Sequence, residues 1–272
     1  MAIDYILDVA CEPKKKLGLG GVLDGSKLVG QALELERLLE SGYASPDEPV
    51  RIVRLTPEGQ HEQEELTSVE LTSRAKALMV HRDFCRGCPA NVVEQVLGGE
   101  RLFGCHGSIA YPLTEELELM LTVTLNWIIK HELDGDAGRI VRFILDTGLT
   151  GEASASARAA RPESGAAFTV LNEAVRLDII VESGGHPSTR IPLSTDQVLE
   201  ALFFGGRIEH QVARFMYVPF FQAMERLVAH VVQAKGEGAL QRLTDPGVIQ
   251  LRAFGAAVAI AAELSCNIVI DL

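Results

Sequence analysis

The sequence predicts an α+β fold that is rich in helix, with a few short strands or hairpins. Three observations predict this class. Some segments space apolar residues as a helix does, other short segments rich in β-branched residues are bounded by turn residues, and regular strand–helix alternation is missing. With 272 residues, of which 47% are hydrophobic and 23% charged, the chain has a globular composition, which excludes disorder as its main state.

Three elements are predicted in the first third of the chain from apolar periodicity and from the stop signal of Gly42. They are a strand at 3–9, a helix at 27–41 and a strand at 50–55. The glycine run at 17–21 lacks the spacing of a nucleotide-binding loop and is interpreted as a flexible loop. The acidic run Glu62–Glu65 is interpreted as a solvated surface, and residues 75–80 fit either a strand or a helix.

Capping residues mark two helix starts in the rest of the chain. Thr114 is predicted to cap a helix that runs to about residue 133, and Ser194 with Gln197 forms a predicted capping box. The other predicted elements are a helix at 137–147, a hairpin of strands at 174–181 and 189–192, a helical stretch at 208–233 kinked near Pro219, a helix at 248–264 and a strand at 267–271.

The segment Gly151–Gly165 is small, polar and free of large apolar residues, which is typical of a linker. It predicts two lobes, a cysteine-containing α+β lobe at 1–150 and a lobe of one hairpin plus helices at 166–272. One continuous domain with a mobile loop at 151–165 is the alternative.

Charge and terminal composition limit the partners and the compartment. The net charge of −12 disfavours nucleic acid and anionic membranes, so neither is expected as a partner. The N-terminal segment is interrupted by Asp4 and Asp8 and does not resemble a secretory signal, which favours a cytoplasmic protein. The apolar stretch Ala253–Ile270 contains Glu263 and is interpreted as a core helix rather than a membrane span.

Cysteine spacing supplies the clearest indication of function. Cys85 and Cys88 form a C-x2-C pair, and Cys105 follows between two glycines. Thiolates at this spacing can ligate one metal ion, and a structural zinc site needs four such donors. The sequence therefore predicts a cysteine-rich metal knuckle in the N-terminal half.

The fourth ligand is open at this point. Cys11 is preferred because a terminal strand can lie beside the knuckle and complete a set of four cysteines. His81 is the second choice and His106 the third, since His106 adjoins Cys105 and neighbouring side chains diverge. Cys266 falls within an apolar run and is left out of the site.

Zinc is the predicted metal, with an iron–sulfur cluster as the alternative. A second functional hypothesis is thiol–disulfide exchange by Cys85 and Cys88, with a helix predicted at 89–97 that would lower the pKa of the Cys85 thiol. The sequence contains neither a G-x-S-x-G serine nor a phosphate-loop lysine, so its status as an enzyme stays open.

These features favour a cytoplasmic binding or regulatory protein that is stabilised by a structural zinc site. A protein partner or a homo-oligomer fits this hypothesis. The aromatic cluster at 203–221 supports a third one, a homo-oligomeric interaction module, if those rings form an apolar surface rather than core.

Overall fold

A computed structural model of the chain confirms the α+β class, with mostly helical structure and a few antiparallel strands. The structure describes residues 2–46, 49–55, 61–92, 102–111, 113–159, 176–181, 189–235 and 243–271. The chain divides into two compact units. We name Met1–Leu7 with Gly107–Leu272 the sheet unit, and Asp8–His106 the cysteine unit.

A four-stranded sheet with the order β4-β1-β8-β7 gives the sheet unit its name. Its strands are β1 (Ala2–Leu7), β4 (His106–Ala110), β7 (Arg207–Ile208) and β8 (Ile268–Asp271). β1 pairs with β8 in antiparallel register, with Leu7 opposite Ile268. The strand nearest the N-terminus is therefore hydrogen-bonded to the strand nearest the C-terminus.

The other described elements of the sheet unit are helices and one hairpin. The hairpin consists of β5 (Arg176–Val181) and β6 (Thr189–Ser194), and confirms the predicted pair. The helices are α4 (Glu115–His131), α5 (Arg139–Thr147), α6 (Glu152–Ala159), α7 (Thr195–Phe203), α8 (His210–Val212), α9 (Val218–Lys235) and α10 (Pro246–Leu264).

Side-chain caps fix where three of these helices begin. Thr114 accepts a hydrogen bond from the backbone N–H of Leu117, as its position predicted. Ser194 and Gln197 form the predicted capping box at α7. Asp245 accepts from the backbone N–H of Val248 at 3.1 Å and starts α10.

Aromatic rings fill the core of the sheet unit. Phe254 on α10 is fully buried and meets Tyr5, Phe203 and Phe221 at ring-centroid distances of 4.9, 4.8 and 5.7 Å. Gly255 lets α9 approach, because a Cβ there would lie 2.7 Å from the Phe221 ring. The 203–221 aromatics are thus mostly core, although Phe215 is 59% exposed.

In the described part of the cysteine unit there are one long helix, one hairpin and two short helices. Its elements are α1 (Glu12–Glu40), β2 (Val50–Leu55), β3 (His61–Leu66), α2 (Ser68–Leu78), a 3-10 turn (Met79–His81) and α3 (Arg82–Cys85). α1 packs on α2. Gly25 on α1 permits this contact, since a Cβ there would lie 3.4 Å from Leu78 and 3.2 Å from Phe103.

One prediction in the cysteine unit was wrong. The glycine run at 17–21 lies within α1 rather than in a loop, and only Gly18 leaves helical geometry, with φ 72° and ψ 173°. Flanking helical turns accommodate a single glycine break as a kink. The acidic run Glu62–Glu65 belongs to β3, which was not predicted; Glu65 is exposed, as expected for a solvated surface, and pairs with Arg51 across the hairpin at 3.0 Å. Cross-strand charge pairing offsets the low β-propensity of glutamate.

Two predictions in the sheet unit also need correction. The first half of the proposed linker Gly151–Gly165 is α6, and its Ser154 is completely buried. The irregularity expected near Pro219 is a π-helical turn at Ala213–Tyr217, just before α9. The lobes predicted at 1–150 and 166–272 divide the chain differently from the two compact units and stay a prediction. Residues 160–175 lie outside the described part of the chain.

Candidate functional site

Cys11 lies at the start of α1, in the N-cap position. Its backbone is extended (φ −148°, ψ 165°), and its carbonyl accepts a hydrogen bond from the backbone N–H of Lys15 at 3.0 Å. Pro13 follows in the first turn, where a missing N–H costs nothing. The Cys11 side chain makes no capping hydrogen bond and is half-buried, so its sulfur is not committed to the helix end.

Cys85 and Cys88 occupy the corners of one tight turn. Arg86 (φ −67°, ψ 125°) and Gly87 (φ 68°) have the central dihedrals of a type II turn, which needs glycine at its third position. The backbone N–H of Cys88 closes the turn onto the Cys85 carbonyl at 3.2 Å. Cys85 is buried and Cys88 half-buried.

Cys105 lies in a second turn, just before β4. The backbone N–H of His106 donates to the Phe103 carbonyl at 3.2 Å. Gly104 cannot carry a side chain, because a Cβ there would lie 1.8 Å from Oδ1 of Asn91. The backbone N–H of Gly104 also hydrogen-bonds the Cys85 sulfur, so the two turns are in contact.

Asn91 contacts both turns. Its backbone N–H donates to the Cys88 carbonyl at 2.9 Å, and its side-chain Nδ2 donates to the Cys85 carbonyl at 3.1 Å. Its carboxamide fills the space beside Gly104. Asn91 therefore fixes the Cys85–Cys88 turn against the Cys105 turn.

The four predicted cysteines interact electrostatically. Burial raises the pKa of Cys105 to about 12, and Cys85, Cys11 and Cys88 raise it further. Burial also raises the pKa of Cys85, and a hydrogen bond from the backbone N–H of Gly104 lowers it in part. Cys11, Cys88 and Lys14 thus act on both Cys85 and Cys105 within the cysteine unit.

Lys14 carries a positive charge that acts on these thiols. It lowers the pKa of Cys105 more than any other group and also lowers that of Cys85. Its Nζ donates to the Val9 carbonyl at 3.1 Å, which holds the partly buried ammonium in place. Sequence reasoning missed this residue, although the run Lys14–Lys16 begins three positions after Cys11.

Proximity of these thiols is not ligation. Among the described residues, no three Cys, His, Asp or Glu side chains converge closely enough to hold a metal ion. The structure therefore shows Cys85, Cys88 and Cys105 on hydrogen-bonded turns, but not in the geometry of a metal site. Binding of an ion would require the sulfurs to close in by rotation about χ1, which offers each cysteine three staggered positions.

The two candidate histidines are both buried near these turns. The His81 ring lies 6.3 Å from the Phe103 ring and 6.5 Å from the Phe84 ring, and His106 is the first residue of β4. Within the described part of the chain, Nδ1 of His81 has no hydrogen-bond partner. Lys14 and the other thiols act on the pKa of Cys85 and Cys105, and the choice of a fourth donor among Cys11, His81 and His106 stays a prediction.

The helix predicted at 89–97 does not begin at Pro89. Pro89 and Ala90 form a turn, and residues 93–100 lie outside the described part of the chain. Cys85 is instead the last residue of the four-residue α3, so it does not lie at a helix N-terminus, and burial raises its pKa.

Cys266 is separate from the cluster. It is buried in the sheet unit, and its backbone N–H donates to the Ala261 carbonyl at the end of α10.

In the described part of the chain, α10 alone is long and apolar enough to cross a membrane, with a mean hydropathy of 1.5. Core helices of soluble proteins have the same properties, and 56% of this window is buried here. α10 also runs into β8, as the sequence predicted.

Searches against protein families, curated proteins and solved structures give no match, so the site is interpreted from its own chemistry.

Proposed function

We propose that the chain is a metal-stabilised binding or regulatory protein of the cytoplasm. In this proposal Cys11, Cys85, Cys88 and Cys105 hold one structural zinc ion. The observation that carries it is the contact between the turn of Cys85 and Cys88 and the turn of Cys105 through Asn91, with the Cys11 thiol acting on the pKa of both Cys85 and Cys105. His81 and His106 remain alternative fourth donors.

The donor set suits zinc chemically. Four thiolates around a divalent ion give a site of net charge −2, and the Lys14 ammonium reduces the cost of holding that charge in a partly buried place. The N–H of Gly104 can stabilise the Cys85 thiolate in the same way. An iron–sulfur cluster needs the same four cysteines and is the alternative cofactor.

A structural role follows from where the cysteines lie along the chain. Cys11 comes four positions after Leu7, where the sheet unit is interrupted, and Cys105 comes two positions before Gly107, where it resumes. An ion bound by both would close residues 11–105 into a loop. Closing so long a loop removes conformational entropy from the unfolded chain, and so stabilises the cysteine unit.

Thiol–disulfide exchange is supported less well by this geometry. A reactive cysteine needs a stabilised thiolate, whereas burial raises the pKa of Cys85 and Cys85 ends a helix rather than beginning one. The homo-oligomer hypothesis also loses support, because the rings of Phe203, Phe220 and Phe221 are buried within the chain.

Metal analysis of protein purified without oxygen tests the proposal. We expect about one zinc per chain, and loss of most of it when Cys85 or Cys105 is changed to serine. The matched control is Cys266→Ala, a buried cysteine outside the cluster, which should keep its zinc. If the protein instead contains iron and sulfide and has a visible absorption band, the cofactor is an iron–sulfur cluster rather than zinc. Neither metal, or equal metal loss in Cys266→Ala, would refute the proposal.

A further inference from the structure

We propose that Asn91 is the positioning residue of the thiol site, and that together with Gly104 it fixes the distance between the two backbone turns that carry Cys85, Cys88 and Cys105. This inference rests on the proposed metal function. It concerns a residue that would not itself touch the metal and acts only through the turns that carry the ligands.

Three contacts carry the inference. Asn91 donates from Nδ2 to the Cys85 carbonyl at 3.1 Å and from its backbone N–H to the Cys88 carbonyl at 2.9 Å. Its carboxamide also lies against Cα of Gly104, where a Cβ would approach Oδ1 to 1.8 Å and Cγ to 2.1 Å. One side chain thus bonds to the first ligand turn and packs against the second.

The approach of the two turns has a direct consequence for the ligands. With Asn91 and Gly104 in contact, the N–H of Gly104 reaches the Cys85 sulfur. Without the carboxamide, the Cys105 turn would lose one of the contacts that hold it at a fixed distance from the Cys85–Cys88 turn. Residues that orient ligands in this way affect metal affinity by about 10- to 100-fold.

Cobalt(II) is the probe for the test, because its d–d absorption bands report tetrahedral coordination and its thiolate charge-transfer bands report the number of sulfur ligands. Zinc affinity is measured alongside by competition with a chelator. The variants are Asn91→Ala, Asn91→Asp, Gly104→Ala and the double variant Asn91→Ala with Gly104→Ala.

We expect Asn91→Ala to weaken zinc binding at least about tenfold and to shift the cobalt d–d bands. Gly104→Ala should do the same, because its methyl group collides with the carboxamide. The double variant should bind no more weakly than Asn91→Ala alone, because removing the carboxamide makes room for that methyl group. Such non-additivity would be absent if the two residues acted separately.

Asn91→Asp fills the same space but lacks the Nδ2 donor, so it isolates the bond to Cys85. It also decides the test if Asn91→Ala does not fold. Bands and affinity unchanged from the wild type, in whichever of these two variants folds, would overturn the inference while leaving the metal site intact. Failure of the wild type itself to bind cobalt through its cysteines would refute the proposed function instead.

Discussion

The sheet unit and the cysteine unit are built on different internal chemistry. At the centre of the sheet unit, the rings of Tyr5 and Phe203 both contact Phe254, and all three are at most 1% exposed. The cysteine unit also has an apolar interior, but the thiols of Cys85 and Cys105 are buried in this unit as well. A buried thiol packs as a small apolar group and can in addition bind a metal ion.

The two units also differ in how their ends are secured. β1 and β8 pair with each other, so the sheet closes the sheet unit through backbone hydrogen bonds. The cysteine unit has a two-stranded hairpin, β2–β3, away from its ends, and its ends carry Cys11 and Cys105. A bound ion would link the ends of the cysteine unit, as strand pairing links the ends of the sheet unit.

Metal removal should produce the largest difference in stability between the two units. Structural zinc sites contribute about 10 kcal/mol or more, so a chelator should unfold the cysteine unit while the sheet unit keeps its structure. Hydrogen exchange should then rise throughout residues 8–106. The single tryptophan, Trp127, lies on α4 of the sheet unit, and its fluorescence should not change. Equal exchange in both units would mean that they share one source of stability.

Shortening a core side chain of the sheet unit should have the opposite effect and destabilise the sheet unit rather than the cysteine unit. Phe254→Ala removes a ring that contacts three others in the sheet unit, which should cost about 3–5 kcal/mol of unfolding free energy. Urea denaturation followed by Trp127 fluorescence measures this loss. The metal content should stay at the wild-type level, and Phe254→Leu, which leaves a smaller cavity, serves as the milder control.

High pH gives a smaller and more specific effect on the metal-free protein. Burial raises the pKa of Cys105 to about 12, from a usual value near 9. Between these values the unfolded chain holds fewer protons than the folded chain, so stability falls as the pH rises. At pH 11 the loss should be roughly 2.5 kcal/mol, at 1.36 kcal/mol per unit.

Hydrogen exchange of the cysteine unit at pH 8.5 and pH 11 measures this loss. Cys105→Ser cannot titrate in that range and should show a smaller pH dependence. Zinc-loaded protein should also lack the effect, since its thiols have already lost their protons. The same pH dependence in metal-free wild type and Cys105→Ser would assign the loss to other groups.

Local sequence signals predicted much of the fold. The caps at Thr114 and Ser194 were predicted correctly because a capping hydrogen bond depends on residues three positions apart. The pairing of β1 with β8 was not predicted, because nothing local to either strand identifies its partner. β3 was missed because its glutamates depend on charges across the hairpin rather than on their own propensity.

The candidate site likewise combines residues that local sequence signals identify with residues that only the folded structure brings together. Spacing along the chain grouped Cys85, Cys88 and Cys105 in the prediction, and the preference for Cys11 as fourth donor stays a prediction. Asn91 and Gly104, whose contact joins the two turns, are 13 positions apart, so this contact could be found only in three dimensions. The charge of Lys14 needed the same information, because α1 determines which way the ammonium lies.

The pairing of β1 with β8 also bears on synthesis. About 260 positions separate Leu7 from Ile268, its partner in the register. At about 5–20 residues per second, a ribosome needs roughly 13–52 s to cover that distance. Throughout this interval β1, almost entirely apolar and buried in the finished fold, has no β8 to pair with. The cysteine unit is synthesised in the meantime and can fold first, whereas β1 is the segment on which a chaperone would act.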